Sequence, residues 1–168
     1  MRIGLVSDTH GKLSRLQDAL EILTSRLIDA IVHCGDIDNP ECLEMMAATG
    51  LPVYAVAGNV DRHIQDLKDT AERTGVDFHS QIVAVPLGDG RHLAATHGHD
   101  SRILAELTGG GQFPYVCHGH THRVRDENHN GVRVICPGAL RQPRSPRHPT
   151  AAILDTERDE LTLIDVPK

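Results

Sequence analysis

The chain has 168 residues, of which 39% are hydrophobic and 24% charged, a size and balance typical of one globular domain spanning residues 1–168. Seventeen Lys and Arg against 23 Asp and Glu give a formal net charge of −6, which disfavours non-specific binding to nucleic acid or to anionic membranes. No apolar run of about 18 residues is present to cross a membrane, and the first ten residues lack a secretory apolar segment, so we expect a cytoplasmic protein.

The first half of the chain alternates short apolar runs with amphipathic stretches. Leucines at spacings of three and four mark one face of the first helix, and Ser14 with Gln17 predicts a capping box at its start. Asn39 followed by Pro40 predicts the start of a second helix. The pattern favours a parallel sheet with helical crossovers. Strands are predicted over 2–7, 28–33 and 52–57, and helices over 13–27, 40–48 and 62–74.

The second half is richer in strands and contains one short helix. Asn130-Gly131 and residues 157–159 are typical of turns, and the Pro-rich stretch 141–149 favours neither helix nor strand. A parallel first half and a strand-rich second half indicate a mixed α/β or α+β fold, with a mixed sheet or two packed sheets. Strands are predicted over 81–87, 91–96, 113–117, 132–135, 150–154 and 161–166, and a helix over 101–107.

Five of the predicted strands end in a polar cluster. Strand carboxyl ends are where open α/β sheets place ligands, and adjacent glycines let the backbone approach an ion closely. Asp, His and one Asn form a ligand set suited to Zn, Mn, Fe or Co, and seven ligands suit two ions better than one tetrahedral ion. Twelve His and only two Tyr, two Phe and no Trp also favour metal chemistry over base stacking. The candidate ligands are Asp8, His10, Asp36, Asn59, His97, His120 and His122.

The ordered motifs Asp8-x-His10, Gly35-Asp36, Gly58-Asn59, His97-Gly98-His99 and Gly119-His120-Thr121-His122 resemble those of the calcineurin-like metallophosphoesterases. The short chain is most similar to the small single-domain prokaryotic phosphodiesterases. The resemblance implies a four-layer α/β/β/α sandwich with two mixed β-sheets and a metal site at the carboxyl ends of the strands. It also implies two divalent ions, with manganese the first choice and nickel, cobalt, iron or zinc as alternatives.

By the same resemblance, one ion takes Asp8, His10, Asp36 and His122. The other ion takes Asp36, Asn59, His97 and His120, so that Asp36 bridges the two. The implied reaction is the hydrolysis of a phosphodiester, or of an activated monoester, in which a metal-bridging hydroxide attacks phosphorus in line with the leaving oxygen. The implied substrate is a small phosphorylated molecule.

The chain departs from the family pattern at Val60, where many relatives have a histidine thought to protonate the leaving group. Asp61, His63 or His99 are possible substitutes, and the sequence does not choose among them. His99 either faces the phosphate or only orients a ligand. We therefore expect a preference for diesters or activated leaving groups over alkyl monoesters.

Several alternative interpretations remain open from the sequence alone. Asn59 is also a common left-handed turn residue. Arg141, Arg144 and Arg147 recur every third residue among prolines, which predicts a polyproline II edge; Arg144 is the best candidate there for a substrate phosphate, and a solvated basic loop is the alternative. A non-catalytic protein-binding scaffold of the same fold is the main rival function, because a retromer subunit resembles this fold. A nuclease is disfavoured, and a homodimer or homotetramer is compatible with the apolar strands.

The four cysteines have no CxxC spacing and are expected to be reduced thiols. They are Cys34, Cys42, Cys117 and Cys136.

Overall fold

The computed structural model describes residues 1–167, which form four helices and eleven strands. The helices are α1 (Leu13–Ser25), α2 (Pro40–Ala47), α3 (Ile64–Thr74) and α4 (Ser101–Gly109). The strands are β1 (Arg2–Val6), β2 (Ala30–His33), β3 (Val53–Val56), β4 (Asp77–His79), β5 (Ile82–Pro86), β6 (His92–Thr96), β7 (Tyr115–Cys117), β8 (Val124–His129), β9 (Val132–Pro137), β10 (Thr150–Asp155) and β11 (Glu160–Asp165).

The strands form two mixed sheets. The first has the order β11-β10-β1-β2-β3-β4, in which β1 to β4 run parallel and the β1–β10 and β10–β11 pairs are antiparallel. The second has the order β5-β6-β7-β9-β8, with β6, β7 and β9 parallel and an antiparallel strand at each edge. The predicted mixed α/β fold with two sheets is confirmed.

Three separate hydrophobic clusters hold these elements in four layers. Leu16 of α1 and Leu67 of α3 belong to the cluster that packs the first three helices on the first sheet. Leu5 and Val85 belong to a second cluster between the two sheets, and Val134 belongs to a third cluster beneath α4. Apolar area removed from water stabilises each interface, and the resulting order is helix, sheet, sheet, helix.

Two strands lie where the sequence predicts none, because neither has the apolar pattern of a strand. The strand β4 has only three residues, of which Asp77 and His79 are exposed. The strand β8 forms the edge of the second sheet and is exposed from Asp126 onward. The Asn130-Gly131 turn joins β8 to β9, and both residues have the positive φ that such a tight turn requires.

The helix starts are predicted correctly in one case and wrongly in another. The Oδ1 atom of Asn39 accepts a hydrogen bond of 3.0 Å from the Glu41 N–H, with Pro40 as the first helical residue. The predicted capping box of α1 is wrong, because the helix begins after Lys12 with no side-chain cap, and the Gln17 amide donates to Glu21 instead.

Candidate metal centre

The loops that follow β1, β2, β3, β6 and β7 come together at one edge of the sandwich. The Asp8 N–H donates to the Gly35 carbonyl at 3.0 Å, and the Gly119 N–H donates to the His97 carbonyl at 3.0 Å. The two sheets are linked where Nδ1 of His97 contacts the carbonyl oxygen of Cys34 at 2.8 Å. The strand ladders therefore continue into the loops that carry the predicted ligands and restrict the backbone there.

Four of the seven predicted ligands converge at one position. Asp8, His10, Asp36 and His122 each offer an atom, and these atoms lie within 4.8 Å of one another. Nε2 of His122 lies 3.1 Å from Oδ1 of Asp8 and 3.5 Å from Nε2 of His10. Two imidazole nitrogens and two carboxylates at such separations form a donor set that fits a divalent transition-metal ion.

The remaining predicted ligands lie on the other side of Asp36. Nε2 of His97 lies 3.3 Å from Oδ1 of Asp36 and 3.1 Å from Oδ1 of Asn59. The ring of His120 lies 5.2 Å from the ring of His97, measured between centroids. The structure therefore brings all seven predicted residues into one cluster.

The two oxygens of the Asp36 carboxylate face different groups of ligands. Oδ2 lies 3.7 Å from Nε2 of His10, whereas Oδ1 faces His97. Burial by itself would raise the pKa of Asp36, but the hydrogen bond and charge of His97 outweigh it and lower that pKa. The side chain is thus an ionised carboxylate placed between two sets of nitrogen and oxygen donors.

Backbone contacts fix the orientation of two histidine rings. Nδ1 of His97 donates to the carbonyl of Cys34, and Nδ1 of His122 donates to the carbonyl of Gln142 at 2.9 Å. In the neutral form of each ring this contact places the proton on Nδ1 and leaves the Nε2 lone pair for a metal ion. In the metal-free protein burial opposes protonation of His97, but the hydrogen bond to Asp36 raises its pKa, and the hydrogen bond to Asp8 raises the pKa of His122. Burial and the charge of His97 lower the pKa of His120, which favours its neutral form.

Most of the predicted ligands have a left-handed backbone. This conformation costs about 1–3 kcal/mol for residues other than glycine and is concentrated at functional sites, where the surrounding structure maintains it. The positive φ angles aim side chains of successive loops toward one point. The five residues are Asp8 (φ 53°), His10 (46°), Asp36 (56°), His120 (65°) and His122 (56°).

Two glycines leave space for the carboxylates of the cluster. A Cβ atom on Gly58 would lie 2.0 Å from Oδ1 of Asp36. A Cβ atom on Gly119 would lie 1.9 Å from Oγ of Ser7 and 2.8 Å from Oδ2 of Asp8. All three distances are below van der Waals contact, so any larger residue at either position would displace the side chains on the carboxylate side of the cluster.

Comparisons with known proteins agree with this geometry. The calcineurin-like phosphoesterase superfamily domain matches residues 1–159. The chain belongs to that superfamily. A phosphodiesterase of Methanocaldococcus jannaschii is 31% identical over 164 residues, which cover 95% of this chain and 96% of the relative. The predicted resemblance is confirmed, and so, at the level of the family, is the prediction of a hydrolase of phosphoric esters.

Solved structures have the same fold. The structure of an archaeal phosphodiesterase superposes with a TM-score of 0.88 at 30% identity, covering 99% of this chain and 100% of that one. A phosphoesterase of E. coli superposes with a TM-score of 0.69 at 18% identity, covering 99% and 100% of the two chains. The second likeness concerns the fold alone.

The candidate catalytic side chains of this phosphoesterase differ in their surroundings. His99 is exposed, and its ring centroid lies 5.5 Å from that of His97 and 6.3 Å from that of His120. Asp61 is buried, and its two carboxylate oxygens accept hydrogen bonds from backbone N–H groups of the Asp36 and Asn59 loops. Burial raises the pKa of Asp61, although these hydrogen bonds oppose the rise. Asp61 is thus engaged with backbone N–H groups inside the protein, whereas His99 is open to solvent beside the cluster.

The segment 141–149 approaches the phosphoesterase site at two of its three arginines. The Arg141 guanidinium donates to the carbonyl of His10 at 3.0 Å, and the Arg144 N–H donates to the carbonyl of His122 at 2.8 Å. Among residues 1–167, the exposed Arg144 side chain makes no hydrogen bond or ion pair. The predicted polyproline II edge is wrong, because Gln142 has a φ of 51°, far from the −75° of that helix.

Within the described residues, all four cysteines are buried free thiols, and no helix is long and apolar enough to cross a membrane.

The sequence did not single out Ser7, whose hydroxyl contacts Asp8, nor the carbonyl of Cys34, which orients His97. A serine or a small apolar residue at the end of a strand carries no signal of such a role. The Gly-Asp, Gly-Asn and Gly-His pairs are the sequence signal for the positions where a residue larger than glycine would meet a side chain of the cluster.

Proposed function

We propose that this phosphoesterase hydrolyses phosphodiesters with two divalent metal ions. One ion would be held by Asp8, His10, Asp36 and His122, and the other by Asp36, Asn59, His97 and His120. The observation that carries the proposal is the Asp36 carboxylate, whose Oδ2 and Oδ1 atoms lie 3.7 and 3.3 Å from Nε2 of His10 and of His97. The phosphodiesterase relative from Methanocaldococcus jannaschii supports the choice of a diester.

The donor set suits borderline transition metals. Imidazole nitrogens, carboxylates and one amide oxygen are ligands for Mn, Fe, Co, Ni or Zn, and we propose manganese first. When bound, the ions would lower the pKa of a coordinated water, which makes it a nucleophile toward phosphorus, and would offset the negative charge of the substrate phosphate. The chain holds their ligands ready, because His97 and His122 are fixed through Nδ1 and Asp8 through Oδ2.

Arg144 is proposed to contact the substrate phosphate. Its backbone is hydrogen-bonded to His122, and its guanidinium has no partner among residues 1–167. The pKa of His122 is raised by the hydrogen bond to Asp8, and the positive charge of Arg144 nearby opposes that rise. A guanidinium can offer paired N–H groups to phosphate oxygens, which is how arginine binds phosphate in proteins.

His99 is proposed to give a proton to the leaving oxygen. It is exposed beside the rings of His97 and His120, so a bound substrate can reach it. The residue at the position of the family's histidine is Val60, which has no proton to give. We expect activated diesters to be hydrolysed faster than alkyl monoesters. A good leaving group needs little protonation as it departs, so a substitute proton donor is sufficient for it.

Further properties complete the proposal. The substrate would be a small phosphorylated molecule, and nucleic acid is disfavoured by the net charge of −6. Residues 1–168 would form one domain, which the continuous cluster between the two sheets supports. A cytoplasmic location is supported by the four free thiols, and assembly into a dimer or tetramer stays a prediction.

The test is metal-dependent hydrolysis of bis(p-nitrophenyl) phosphate by metal-stripped protein. Mn, Ni, Co, Zn or Mg is added in turn to the parent, to Asp36→Asn and to His97→Ala, with His129→Ala on the exposed edge strand as the control. We expect a transition metal to restore activity in the parent and in the control only. Two bound ions per chain without hydrolysis would favour the scaffold alternative and contradict the proposal.

A further inference from the structure

The carboxylate of Asp61 joins two loops that both carry predicted ligands. Its Oδ2 accepts hydrogen bonds from the N–H groups of Gly58 at 2.6 Å and Ile37 at 3.2 Å. Its Oδ1 accepts one from the N–H of Asp38 at 2.5 Å. The side chain is only 8% exposed, so water cannot easily replace these contacts.

Two of the three N–H groups belong to residues adjacent to predicted ligands of the second ion, and the third belongs to Asp38, two residues after Asp36. Ile37 follows Asp36, and Gly58 precedes Asn59. A fourth hydrogen bond crosses the same gap, because the Val60 N–H donates to Oδ1 of Asp36 at 3.1 Å. The Asp36 loop follows β2 and the Asn59 loop follows β3, and the side chains of Asp36 and Asp61 both connect the two loops.

We propose that Asp61 is a positioning residue that sets the separation of Asp36 and Asn59 and thereby the affinity of the ion that they would share with His97 and His120. The inference rests on the two-ion site of the proposed function. Asp61 therefore acts through the ligand loops and does not deliver a proton to the leaving group. Both of its oxygens accept hydrogen bonds from N–H groups. A proton on either oxygen would face one of these N–H hydrogens and weaken the hydrogen bond there.

Asp61→Asn separates these two roles. The amide keeps one acceptor oxygen but turns an NH₂ group toward a backbone N–H, so at least one loop contact is lost. Asp38→Asn is the matched control, because Asp38 is an exposed acid in the same loop that contributes only its backbone N–H. Both variants remove one negative charge within the same few residues, so a pure charge effect would be shared.

The experiment is a calorimetric titration of metal-stripped protein with Mn²⁺. We expect two ions per chain in the parent and in Asp38→Asn. In Asp61→Asn we expect one ion of nearly parental affinity and a second that binds about 10- to 100-fold more weakly, the usual effect of losing a residue that orients ligands. Saturating Mn²⁺ should restore most of the activity, with an unchanged dependence of rate on the leaving group's pKa.

Metal-free protein supplies an independent measurement. Amide hydrogen exchange at Gly58, Ile37 and Asp38 should be faster in Asp61→Asn than in the parent, while amides elsewhere keep their protection. Should Asp61→Asn fail to fold, Asp61→Glu keeps the charge and both oxygens but moves them outward by one methylene. We expect the second ion to bind more weakly than in the parent in that variant too, by a smaller factor than in Asp61→Asn.

The outcomes separate this inference from the proposed function. Parental affinity for both ions in the Asp61 variants, or an equal weakening in Asp38→Asn, would overturn the positioning role. Activity that stays low at saturating Mn²⁺ and falls most for poor leaving groups would overturn it in favour of a proton donor. Two ions bound by a parent that hydrolyses no phosphodiester would contradict the proposed function, whereas the calorimetry would still decide the role of Asp61.

Discussion

The hydroxyl of Ser7 donates a hydrogen bond of 2.6 Å to Oδ2 of Asp8, and both residues are fully buried. The backbone N–H of His120 also donates to this carboxylate, at 3.2 Å to Oδ2 and 3.3 Å to Oδ1. The other oxygen, Oδ1, faces Nε2 of His122 at 3.1 Å. Ser7 thus fixes the carboxylate at Oδ2, while Oδ1 faces the cluster, which is the arrangement expected of a carboxylate oriented to bind a metal ion.

Replacing Ser7 by alanine should weaken metal binding while the fold remains. The change removes the hydrogen bond to Asp8 and leaves the carboxylate freer to rotate, so we expect about 10- to 100-fold lower affinity for Mn²⁺. Calorimetric titration of metal-stripped protein measures the affinity. Ser14→Ala, at an exposed position of α1, is the control. Equal affinities in all three proteins would show that Ser7 does not orient Asp8.

Gly58→Ala should damage the site more severely than Ser7→Ala. The added Cβ would lie 2.0 Å from Oδ1 and 2.3 Å from the backbone nitrogen of Asp36, so the loop or the carboxylate must move. A displacement of about 1 Å at a reacting centre reduces rates roughly 100-fold, and we expect at least that loss in kcat/KM for bis(p-nitrophenyl) phosphate.

The control for this change is Gly109→Ala at the end of α4. A Cβ there meets nothing within 4 Å, and alanine is favoured over glycine in a helix by up to about 1 kcal/mol. The variant should therefore retain full activity with equal or higher thermal stability. Full activity in Gly58→Ala as well would mean that the Asp36 loop relaxes without cost.

The sequence predicts the positions of the ligands better than their geometry. Motifs at strand ends indicate the seven predicted ligands, because glycine pairs and nitrogen and oxygen donors follow each apolar run. The left-handed backbone of His10 and His122 could not be predicted, because only a small share of histidines adopts that region and no local pattern marks which ones do. The strand β8 was missed for a related reason: pairing with β9 forms it in spite of its polar sequence.

The division between Asp61 and His99 also lies beyond the sequence. Both follow a ligand motif by two residues, and both offer a titratable group. Only the folded chain shows that three N–H groups from two loops surround Asp61, whereas His99 is exposed. Contacts between the loops after β2 and β3 depend on the sheet order, which a local pattern does not fix.

Arg144→Gln should weaken the binding of anions with little effect on stability. The guanidinium is exposed and unpaired among residues 1–167, so its loss removes only a contact to the substrate. One charge-assisted hydrogen bond contributes about 1.5–3 kcal/mol, which predicts roughly a 10-fold or greater rise in KM and in the inhibition constant of inorganic phosphate. Arg144→Lys should fall between, because lysine keeps the charge but loses the fork of donors.

Arg147→Gln is the matched control for Arg144, since Arg147 is exposed in the same loop and has no contact with a predicted ligand among the described residues. Its KM and phosphate inhibition should equal those of the parent. If both variants raise KM by the same factor, the loop acts only through its overall positive charge. That result would contradict the proposed specific contact between Arg144 and the substrate phosphate.

His33 should make the metal-free protein less stable as the pH falls. The buried ring accepts a hydrogen bond from the Gly35 N–H at Nδ1, so Nε2 carries the proton and donates to Oγ1 of Thr9. Burial lowers the pKa of His33 from 6.5 to about 4. The unfolded chain therefore binds a proton that the folded chain excludes, so the stability contributed by neutral His33 is fully present above pH 6.5 and is lost progressively as the pH falls from 6.5 through 4.

The size of this effect follows from the two pKa values. Between pH 7.5 and 5, the His33 contribution should reduce the free energy of unfolding by about 2 kcal/mol. His33→Gln keeps a donor for Thr9 and cannot titrate, so its free energy of unfolding should fall less over that interval, although it starts lower for lack of the Gly35 contact. Urea unfolding with a metal chelator present measures both proteins, and the exposed His129→Gln is the control. A pH slope in His33→Gln equal to that of the parent would mean that His33 is not buried as a neutral ring.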